Sequence, residues 1–282
     1  MFSPRYDDKI CWITGASSGI GAALALHLNA LGASIIISAR NRENLEKIQS
    51  ECPRPDKIII LTCDLENAES LSGVATNAWN LFHRIDFVFL NAGLAVRDLI
   101  IHTDIRMFRK VMDINYFSNV ILSKALIPLM QARGYGNFVI TGSLSGKFGI
   151  PKLGAYAASK HAVLGFFESL RAEYEKDGIK VTIATVGLVK TDISIHTLNG
   201  QGLFSGKKQA SIEAGISPSV CARKIIKAAW EGKTEVLVGA MEKYSVYIKR
   251  FFPGLLRKAI TRHPMEIMRK LGLIRSHSNS TN

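Results

Sequence analysis

The 282-residue sequence contains only four cysteines, and they lie far apart. Cys11, Cys52, Cys63 and Cys221 form no C-x-x-C pair and have no paired histidines nearby. Metal sites built from cysteine and histidine need closer ligand spacing, so we expect no metal site. The scarcity of cysteine also indicates reduced, mostly buried thiols in an intracellular protein.

Long apolar runs are missing as well. Residues 11–39 contain no Asp, Glu, Lys or Arg, but glycine and polar residues interrupt them. A membrane-spanning helix needs about 20 mostly apolar residues. Residues 1–8 lack the apolar core and cleavage site of a secretory signal. We therefore expect a cytoplasmic protein.

Acidic residues are scarce: 23 Asp and Glu stand against 36 Lys and Arg, which gives a formal net charge of +13. Such an excess indicates an anionic partner, for example a nucleic acid, a membrane surface or a phosphorylated ligand. Residues 241–282 contain nine of the cations and two acids, so the charge is concentrated in a short C-terminal segment. No nucleic-acid-binding motif accompanies it, and we expect no nucleic acid partner.

Short β-branched apolar runs alternate with longer segments of helical periodicity. The strand candidates are Ile10–Thr14, Ser34–Ser38, Lys57–Leu61, Phe87–Leu90, Phe138–Thr141, Lys180–Thr185 and Glu235–Val238. The helix candidates are Ile20–Leu31, Arg42–Ser50, Ala68–Phe82, Asp104–Met130, Ala155–Lys176 and Pro218–Trp230. Most strand candidates are continuously apolar, which is typical of a parallel sheet covered on both faces. The pattern predicts an α/β fold, a doubly wound parallel sheet over residues 1–240.

A glycine-rich turn, Thr14-Gly-Ala-Ser-Ser-Gly-Ile-Gly21, joins the first predicted strand to the first predicted helix. Glycines at 15, 19 and 21 allow a tight turn, and the helix N-terminus offers free amides to a pyrophosphate. The spacing G-x-x-x-G-x-G differs from the usual dinucleotide fingerprint. An ordinary glycine-rich turn is the alternative interpretation.

Four later motifs accompany this turn, and together they resemble the short-chain dehydrogenase/reductase (SDR) family. They are Asn91-Ala-Gly93, Asn115, Ser143 and Tyr156-Ala-Ala-Ser-Lys160, in the order in which the family has them. The resemblance covers roughly residues 8 to 240. It implies a Rossmann-type fold, a nicotinamide cofactor and a reaction between a carbonyl group and an alcohol.

The resemblance also implies four catalytic residues. Tyr156 exchanges a proton with the substrate oxygen, which Ser143 orients and polarises. Lys160 holds the cofactor ribose and lowers the pKa of Tyr156, and Asn115 positions a water that relays protons to Lys160. Tyr156 and Lys160 are four residues apart, so they lie on one face of a helix. A surface pair at 156 and 160, and a helix-kinking role for Asn115, are the alternatives.

The end of the second predicted strand indicates which nicotinamide cofactor binds. NAD enzymes place an acid there, whereas this sequence has Ser38-Ala39-Arg40-Asn41-Arg42. A guanidinium can bind the 2′-phosphate of NADP(H), so we predict NADP(H). Arg40 is the first candidate for this contact and Arg42 the second, since Arg42 could instead begin the next helix as a solvated residue.

The remaining cofactor contacts follow from the resemblance. Asp64 and Leu65 should border the adenine, although Asp64 could instead cap the following helix. The full set of expected cofactor-binding residues is Gly15, Ser17, Ser18, Gly19, Ile20, Gly21, Arg40, Asp64, Leu65, Asn91, Ala92, Gly93, Tyr156, Lys160, Val189 and Thr191.

One motif departs from the family. After the sixth strand the family usually has Pro-Gly, and here Val186-Gly187 stands in its place. Val189 and Thr191 are still expected to contact the nicotinamide. Without the proline, φ is less restricted, which puts the rigidity of this loop in doubt.

Substrate class and location rest on the segments that follow. Residues 192–216 should close over the substrate, with apolar side chains that either line a pocket or pack: Ile193, Ile195, Leu198, Leu203 and Phe204. Residues 241–282 form a basic, aromatic-bearing amphipathic tail, divided by Pro253 and Pro264 and frayed at its end. The tail is similar to that of a membrane-associated SDR branch that includes dehydrogenase/reductase member 7-type enzymes, which act on lipid-like ketones.

The expected function is NADPH-dependent reduction of a ketone or aldehyde on an apolar, lipid- or steroid-like substrate, or oxidation of the matching alcohol. Peripheral membrane contact through residues 241–275 and a homodimer or homotetramer are expected with it. Two alternatives stay open: a 3-ketodihydrosphingosine or 3-ketoacyl-type reductase, and a non-catalytic NADP-binding sensor or scaffold at a membrane. The tail could also pack on the domain or on a dimer mate.

Overall fold

A single parallel sheet organises the computed structural model, which describes residues 5–206 and 209–261. Its strands are β1 (Ile10–Thr14), β2 (Ser34–Ser38), β3 (Ile58–Ile60), β4 (Phe87–Leu90), β5 (Gly136–Thr141), β6 (Ile179–Val186) and β7 (Glu235–Val238). Their spatial order is β3-β2-β1-β4-β5-β6-β7, and each neighbouring pair is parallel. The predicted doubly wound α/β fold is confirmed.

Helices cover both faces of this sheet. They are α1 (Gly19–Ala30), α2 (Arg42–Glu51), α3 (Ala68–Asn80), α4 (Ile105–Met112), α5 (Ser118–Arg133), α6 (Gly154–Tyr174), α7 (Ala210–Glu213), α8 (Pro218–Trp230), α9 (Ser245–Phe251) and α10 (Pro253–Thr261). Residues of α1, α2 and α8 pack in one core, and residues of α3, α5 and α6 pack in the other. Because both faces are covered, the central strand β4 is apolar along its whole length, and β1 is apolar up to Thr14.

The strand order reverses beside β1, and this reversal places the site. The chain runs outward from β1 to β3 and then returns to β4, which pairs with the other side of β1. In doubly wound folds the crevice at such a reversal, outside the carboxyl ends of the strands, is the usual ligand site.

The prediction of one continuous helix over 104–130 was wrong. A π-helical turn, Asp113–Phe117, separates α4 from α5, and Asn115 lies in it. The side-chain amide of Asn119 donates to the Asn115 carbonyl oxygen (2.7 Å), a bond that competes with regular backbone pairing. Single π turns of this kind are frequent at functional sites.

The tail begins directly after β7. Residues 241–244 form a short 3₁₀ turn, α9 follows, and Pro253 opens α10. Leu256 of α10 is buried against Leu144 and Phe148, which follow β5. Pro264 and the later apolar tail residues lie outside the described residues. Among the helices of the described ranges, none combines the length and the apolar character needed to cross a bilayer.

Candidate active site

Asn91 connects three strand ends at the carboxyl edge of the sheet. Its side-chain amide donates to the carbonyl oxygens of Thr14 (3.2 Å) and Gly15 (3.3 Å). Its side-chain oxygen accepts a bond from the Thr141 hydroxyl (3.1 Å). The hydroxyl of Thr14 in turn accepts from the amides of Asn91 (3.1 Å) and Ala92 (3.3 Å). These bonds fix the glycine-rich turn relative to the ends of β4 and β5.

The glycine-rich turn has the geometry that a pyrophosphate requires. Gly15 and Gly19 have φ of 67° and 56°, and a Cβ on Gly21 would lie 2.0 Å from the Gly15 carbonyl oxygen. Ser18 precedes α1 without a capping side-chain bond, and the first turn of α1 contains no acid. The amides and the positive dipole end of this helix therefore stay available to an anion. Ser17 and Ile20 are half-buried beside them.

Three of the four predicted catalytic side chains, those of Ser143, Tyr156 and Lys160, come together beyond β5. Ser143 has extended backbone, and its hydroxyl oxygen accepts from the Ser145 amide (3.1 Å). Tyr156 and Lys160 lie on one face of α6, with the Lys160 nitrogen 5.7 Å from the centre of the Tyr156 ring. The Lys160 ammonium donates to the carbonyl oxygen of Thr141 (2.9 Å). Thr141 thus joins Lys160 to the Asn91 network, a backbone contact for which the sequence offers no local pattern.

Burial controls the protonation of this group. Desolvation raises the pKa of the Tyr156 phenol, and a hydrogen bond with Ser143 opposes that rise. Desolvation also lowers the pKa of Lys160 from 10.5 to about 8. The sequence predicts that Lys160 lowers the pKa of Tyr156; in the structure that pKa is raised by burial, and the opposing effect comes from Ser143. At neutral pH the phenol therefore keeps its proton.

Asn115 ties the loop after β4 to α6. Its side-chain oxygen accepts from the Leu94 amide (2.7 Å), and its nitrogen donates to the Leu94 carbonyl (2.9 Å) and to Ser159 (2.9 Å). A Cβ on Gly93 would lie 3.3 Å from the Asn115 oxygen and 3.7 Å from the Lys160 nitrogen. Glycine at 93 therefore leaves room beside the ammonium. The helix distortion that was one interpretation of Asn115 is present, and its role in positioning a water stays a prediction.

The predicted 2′-phosphate contact lies at an exposed edge. The Arg40 side chain is 70% exposed, and its guanidinium lies 3.6 Å from the carboxylate of Glu66. Lys110 of α4 lies 3.0 Å from the same carboxylate. Arg42 is the first residue of α2 and pairs with Glu46 (2.9 Å), as in its alternative interpretation. Only the fold brings Lys110 to this edge, so the sequence did not indicate it.

Asp64 does not cap α3. The capping residue is Asn67, whose side chain accepts from the Ser70 amide (3.3 Å), so the alternative interpretation of Asp64 was wrong. Asp64 instead accepts from the Glu66 amide (3.1 Å) in the turn before it. Leu65 is half-buried against the core on that face. Asp64 and Leu65 therefore lie on the stretch that carries Glu66, beside Arg40.

The loop after β6 reaches the glycine-rich turn. The Thr191 methyl group lies 3.1 Å from the position of a Cβ on Gly19, and Val189 is buried. Farther on, Leu198 packs with Val96 and Ala155, so it is a packing residue. Leu203 and Phe204 are instead exposed, and Ile193 is exposed to a smaller extent. The loop that should meet the nicotinamide thus adjoins the turn that should hold the pyrophosphate.

Comparisons with known proteins agree with this geometry. The pattern of the family described as short chain dehydrogenase matches residues 9–201. A "dehydrogenase/reductase SDR family protein 7-like" of Anopheles gambiae is 36% identical over 245 residues, covering 85% of this chain and 77% of the relative. "Dehydrogenase/reductase SDR family member 7B" of Bos taurus is 35% identical over 251 residues, covering 86% and 77%. The solved structure of levodione reductase, at 23% identity, has a TM-score of 0.77 and covers 86% of this chain and all of that one.

The lowered pKa of Lys160 predicts a pH-dependent stability. Below pH 8 the ammonium is protonated whether the chain is folded or unfolded, and its burial destabilises the fold. Between about 8 and 10.5 the unfolded chain holds a proton that the folded chain has lost, so stability rises with pH. From pH 7 to pH 10 we expect wild type to gain about 2 kcal/mol of unfolding free energy relative to Lys160→Met.

Urea denaturation at the two pH values measures this difference. Loss of the bond to Thr141 changes the unfolding free energy of Lys160→Met by the same amount at both pH values, so this contribution cancels from the comparison. Lys180→Met, a matched change at an exposed position of β6, should follow wild type. A constant difference between wild type and Lys160→Met would contradict the prediction.

Proposed function

Since the chain belongs to the short-chain dehydrogenase/reductase family of nicotinamide-dependent oxidoreductases, we propose that it reduces a ketone or aldehyde on an apolar, lipid- or steroid-like molecule with NADPH, or oxidises the matching alcohol. The observation that carries the proposal is the grouping of Ser143, Tyr156 and Lys160 beside the glycine-rich turn. A non-catalytic NADP-binding sensor would be expected to lack one of these three side chains. All three are present, which favours the enzyme.

NADPH supplies a hydride to the substrate carbonyl carbon when it is bound, and the chain supplies the proton. Tyr156 transfers its phenolic proton to the substrate oxygen, towards which Ser143 can also donate a hydrogen bond. The raised pKa of Tyr156 suits this direction, since the phenol stays protonated at neutral pH. The ammonium of Lys160 has room beside Gly93 to hold ribose hydroxyls, and Asn115 borders the same space, where a water could pass protons to Lys160.

The rim of the site favours an apolar substrate. Leu99, Ile100 and Ile101 are 45%, 70% and 85% exposed on the loop after β4. Ile100 contacts the start of α6, two residues before Tyr156, where a Cβ on Gly154 would lie 3.1 Å from it. Phe204, on the segment expected to cover the substrate, is 69% exposed. Exposed apolar groups around a polar reaction centre fit a ketone carried on a steroid or acyl chain.

Tyr156→Phe tests the reaction. A panel of steroid, retinoid and 3-ketoacyl or 3-ketosphingoid substrates with NADPH identifies the ketone that is reduced, by product analysis. On that ketone we expect kcat to fall about 10²- to 10⁴-fold, because the proton donor is lost. Tyr174→Phe, at the other end of α6, is the matched control and should retain activity. Unchanged turnover by Tyr156→Phe would show that the mechanism is wrong.

We propose Arg40 as the residue that selects NADPH over NADH. Its guanidinium is mostly exposed, and its contact with Glu66 at 3.6 Å is long for an ion pair. Exposed ion pairs of this kind contribute little, so the guanidinium is free to turn towards a 2′-phosphate. Lys110, which contacts the same oxygen of Glu66, adds a second positive charge at the same place.

Arg40→Ala should therefore weaken NADPH binding and spare NADH. Loss of a charge-assisted bond to phosphate corresponds to a roughly 10- to 100-fold higher Kd for NADPH. Fluorescence titration of both cofactors measures it. Arg42→Ala is the control and should change either Kd less than about twofold, since Arg42 pairs with Glu46. Equal weakening of NADPH and NADH binding by Arg40→Ala would contradict the assignment.

We propose that the outer face of the tail binds an anionic membrane surface. Phe251 and Phe252 are 68% and 65% exposed, and Tyr247 is 52% exposed. Residues 241–261 contain five cations, whereas their single acid, Glu242, is buried. Exposed aromatic groups among cations match an interface that contains anionic lipid headgroups.

Replacing Phe251 and Phe252 by serine together should abolish co-sedimentation with phosphatidylserine vesicles, because the apolar anchor is lost while the charge is kept. Binding of wild type should weaken as salt is raised. The control is Leu81→Ser, an exposed apolar residue at the end of α3. Sedimentation of the double variant at the wild-type level would reject membrane docking.

A further inference from the structure

Glu242, in the first turn of the tail, is a buried acid that holds a distant loop. Only 6% of the residue is exposed. One carboxylate oxygen, Oε1, accepts from the amide of Leu188 (3.0 Å) and from the amide of Ala240 (3.1 Å). A Cβ on Gly187 would lie 2.4 Å from this oxygen, and one on Gly239 would lie 2.5 Å from it. The carboxylate thus occupies a space that exists because both neighbours are glycines.

The loop that Glu242 holds is the one expected to contact the nicotinamide. It leaves β6 at Gly187, whose amide donates to the Val238 carbonyl (2.7 Å). Ile216 then exchanges backbone bonds with it, donating to the Leu188 carbonyl (3.0 Å) and accepting from the Lys190 amide (2.9 Å). The Leu188 amide is a further polar group of this stretch, and Glu242 is its acceptor. Val189 follows directly.

The family's usual proline is absent from this loop, and Glu242 restrains it by another means. Proline would restrict φ at position 186, where this chain has valine. A carboxylate that accepts from a partly buried amide makes a charge-assisted bond and restrains the peptide plane it binds. The restraint thus comes from Glu242, which lies 54 positions after Leu188 in the chain.

We infer that Glu242 is a positioning residue for the cofactor: it holds the peptide of Leu188 so that Val189 and Thr191 present a fixed surface to the nicotinamide half of the dinucleotide. The inference rests on the proposed function, since it assigns that half of the cofactor to this loop. Without the acceptor, the Leu188 amide would be left unpaired in a partly buried place, and the loop would move to pair it. The pyrophosphate turn and Arg40 would be unaffected.

Two ligands distinguish the nicotinamide half of the site from the adenine half. NADPH spans the whole crevice, whereas adenosine 2′,5′-bisphosphate carries the adenine and 2′-phosphate but no nicotinamide. We expect Glu242→Ala to raise the Kd for NADPH about tenfold, as for the loss of one charge-assisted bond, and to leave the Kd for the bisphosphate within twofold. Hydrogen exchange of the Leu188 amide should become faster in this variant, which can be measured without any cofactor.

Conservative variants distinguish positioning from general loosening. Glu242→Gln keeps an oxygen acceptor at the same reach and should raise the Kd for NADPH less than Glu242→Ala does. Glu242→Asp keeps the charge but withdraws the carboxylate by one methylene, so it should resemble Glu242→Ala; if the alanine variant does not fold, this pair carries the test. Leu256→Ala loosens the packing of the tail without touching residues 187–191, and should lower stability while leaving the Kd for NADPH unchanged.

Several results would overturn the inference. Unchanged NADPH binding by Glu242→Ala and Glu242→Asp would overturn it alone, as would equal weakening of NADPH and the bisphosphate. If wild type prefers NADH, only the NADP assignment fails, and the comparison is made with NADH and adenosine 5′-monophosphate. A wild-type protein that binds neither dinucleotide overturns the proposed function together with this inference.

Discussion

The hydrogen bonds of Asn91 hold the glycine-rich turn and the catalytic strand end at a fixed separation. The side-chain amide of Asn91 donates to the carbonyl oxygens of Thr14 and Gly15, and its oxygen accepts from the Thr141 hydroxyl. The Thr141 carbonyl oxygen in turn accepts from the Lys160 ammonium. In the proposed reaction, the hydride donor and the proton donor approach opposite ends of one carbonyl bond. A partly buried side chain that spans β1, β4 and β5 sets that distance before any ligand arrives.

Two charged side chains are buried around this network, and both are held by backbone groups. Lys160 donates to a strand-end carbonyl, and Glu242 accepts two amides. Each arrangement opposes the cost of removing a charge from water without an ion pair. Backbone partners also differ from mobile side-chain partners in that they cannot rotate away. Burial of the Lys160 ammonium lowers the free energy of unfolding, and the same burial places the group that should hold the ribose.

Most of the fold could be predicted because its determinants are local. The strands are continuous apolar runs, and β1, β2, β4 and β7 begin and end where the pattern places them. The catalytic side chains are near one another in sequence or follow strands that end at one edge. A kink at Asn115 was one of two interpretations that the sequence left open, whereas the approach of Lys110 to Glu66 and the bond from Leu188 to Glu242 could not be predicted. Each depends on elements that meet only after the sheet has formed, and periodicity within one segment carries no information about such contacts.

The tail shows why its amphipathic pattern supported two interpretations at once. A membrane helix and a packed helix both place apolar residues on one side, but this tail uses two sides. Leu256 and Glu242 face inward, against the loops that follow β5 and β6, while Phe251 and Phe252 face outward. Packing on the domain and the proposed membrane contact are therefore compatible. The inward side of the tail touches the loops that carry Ser143 and Val189. A membrane bound to the outward side would therefore lie next to the proposed proton-donor group and next to the proposed nicotinamide contact.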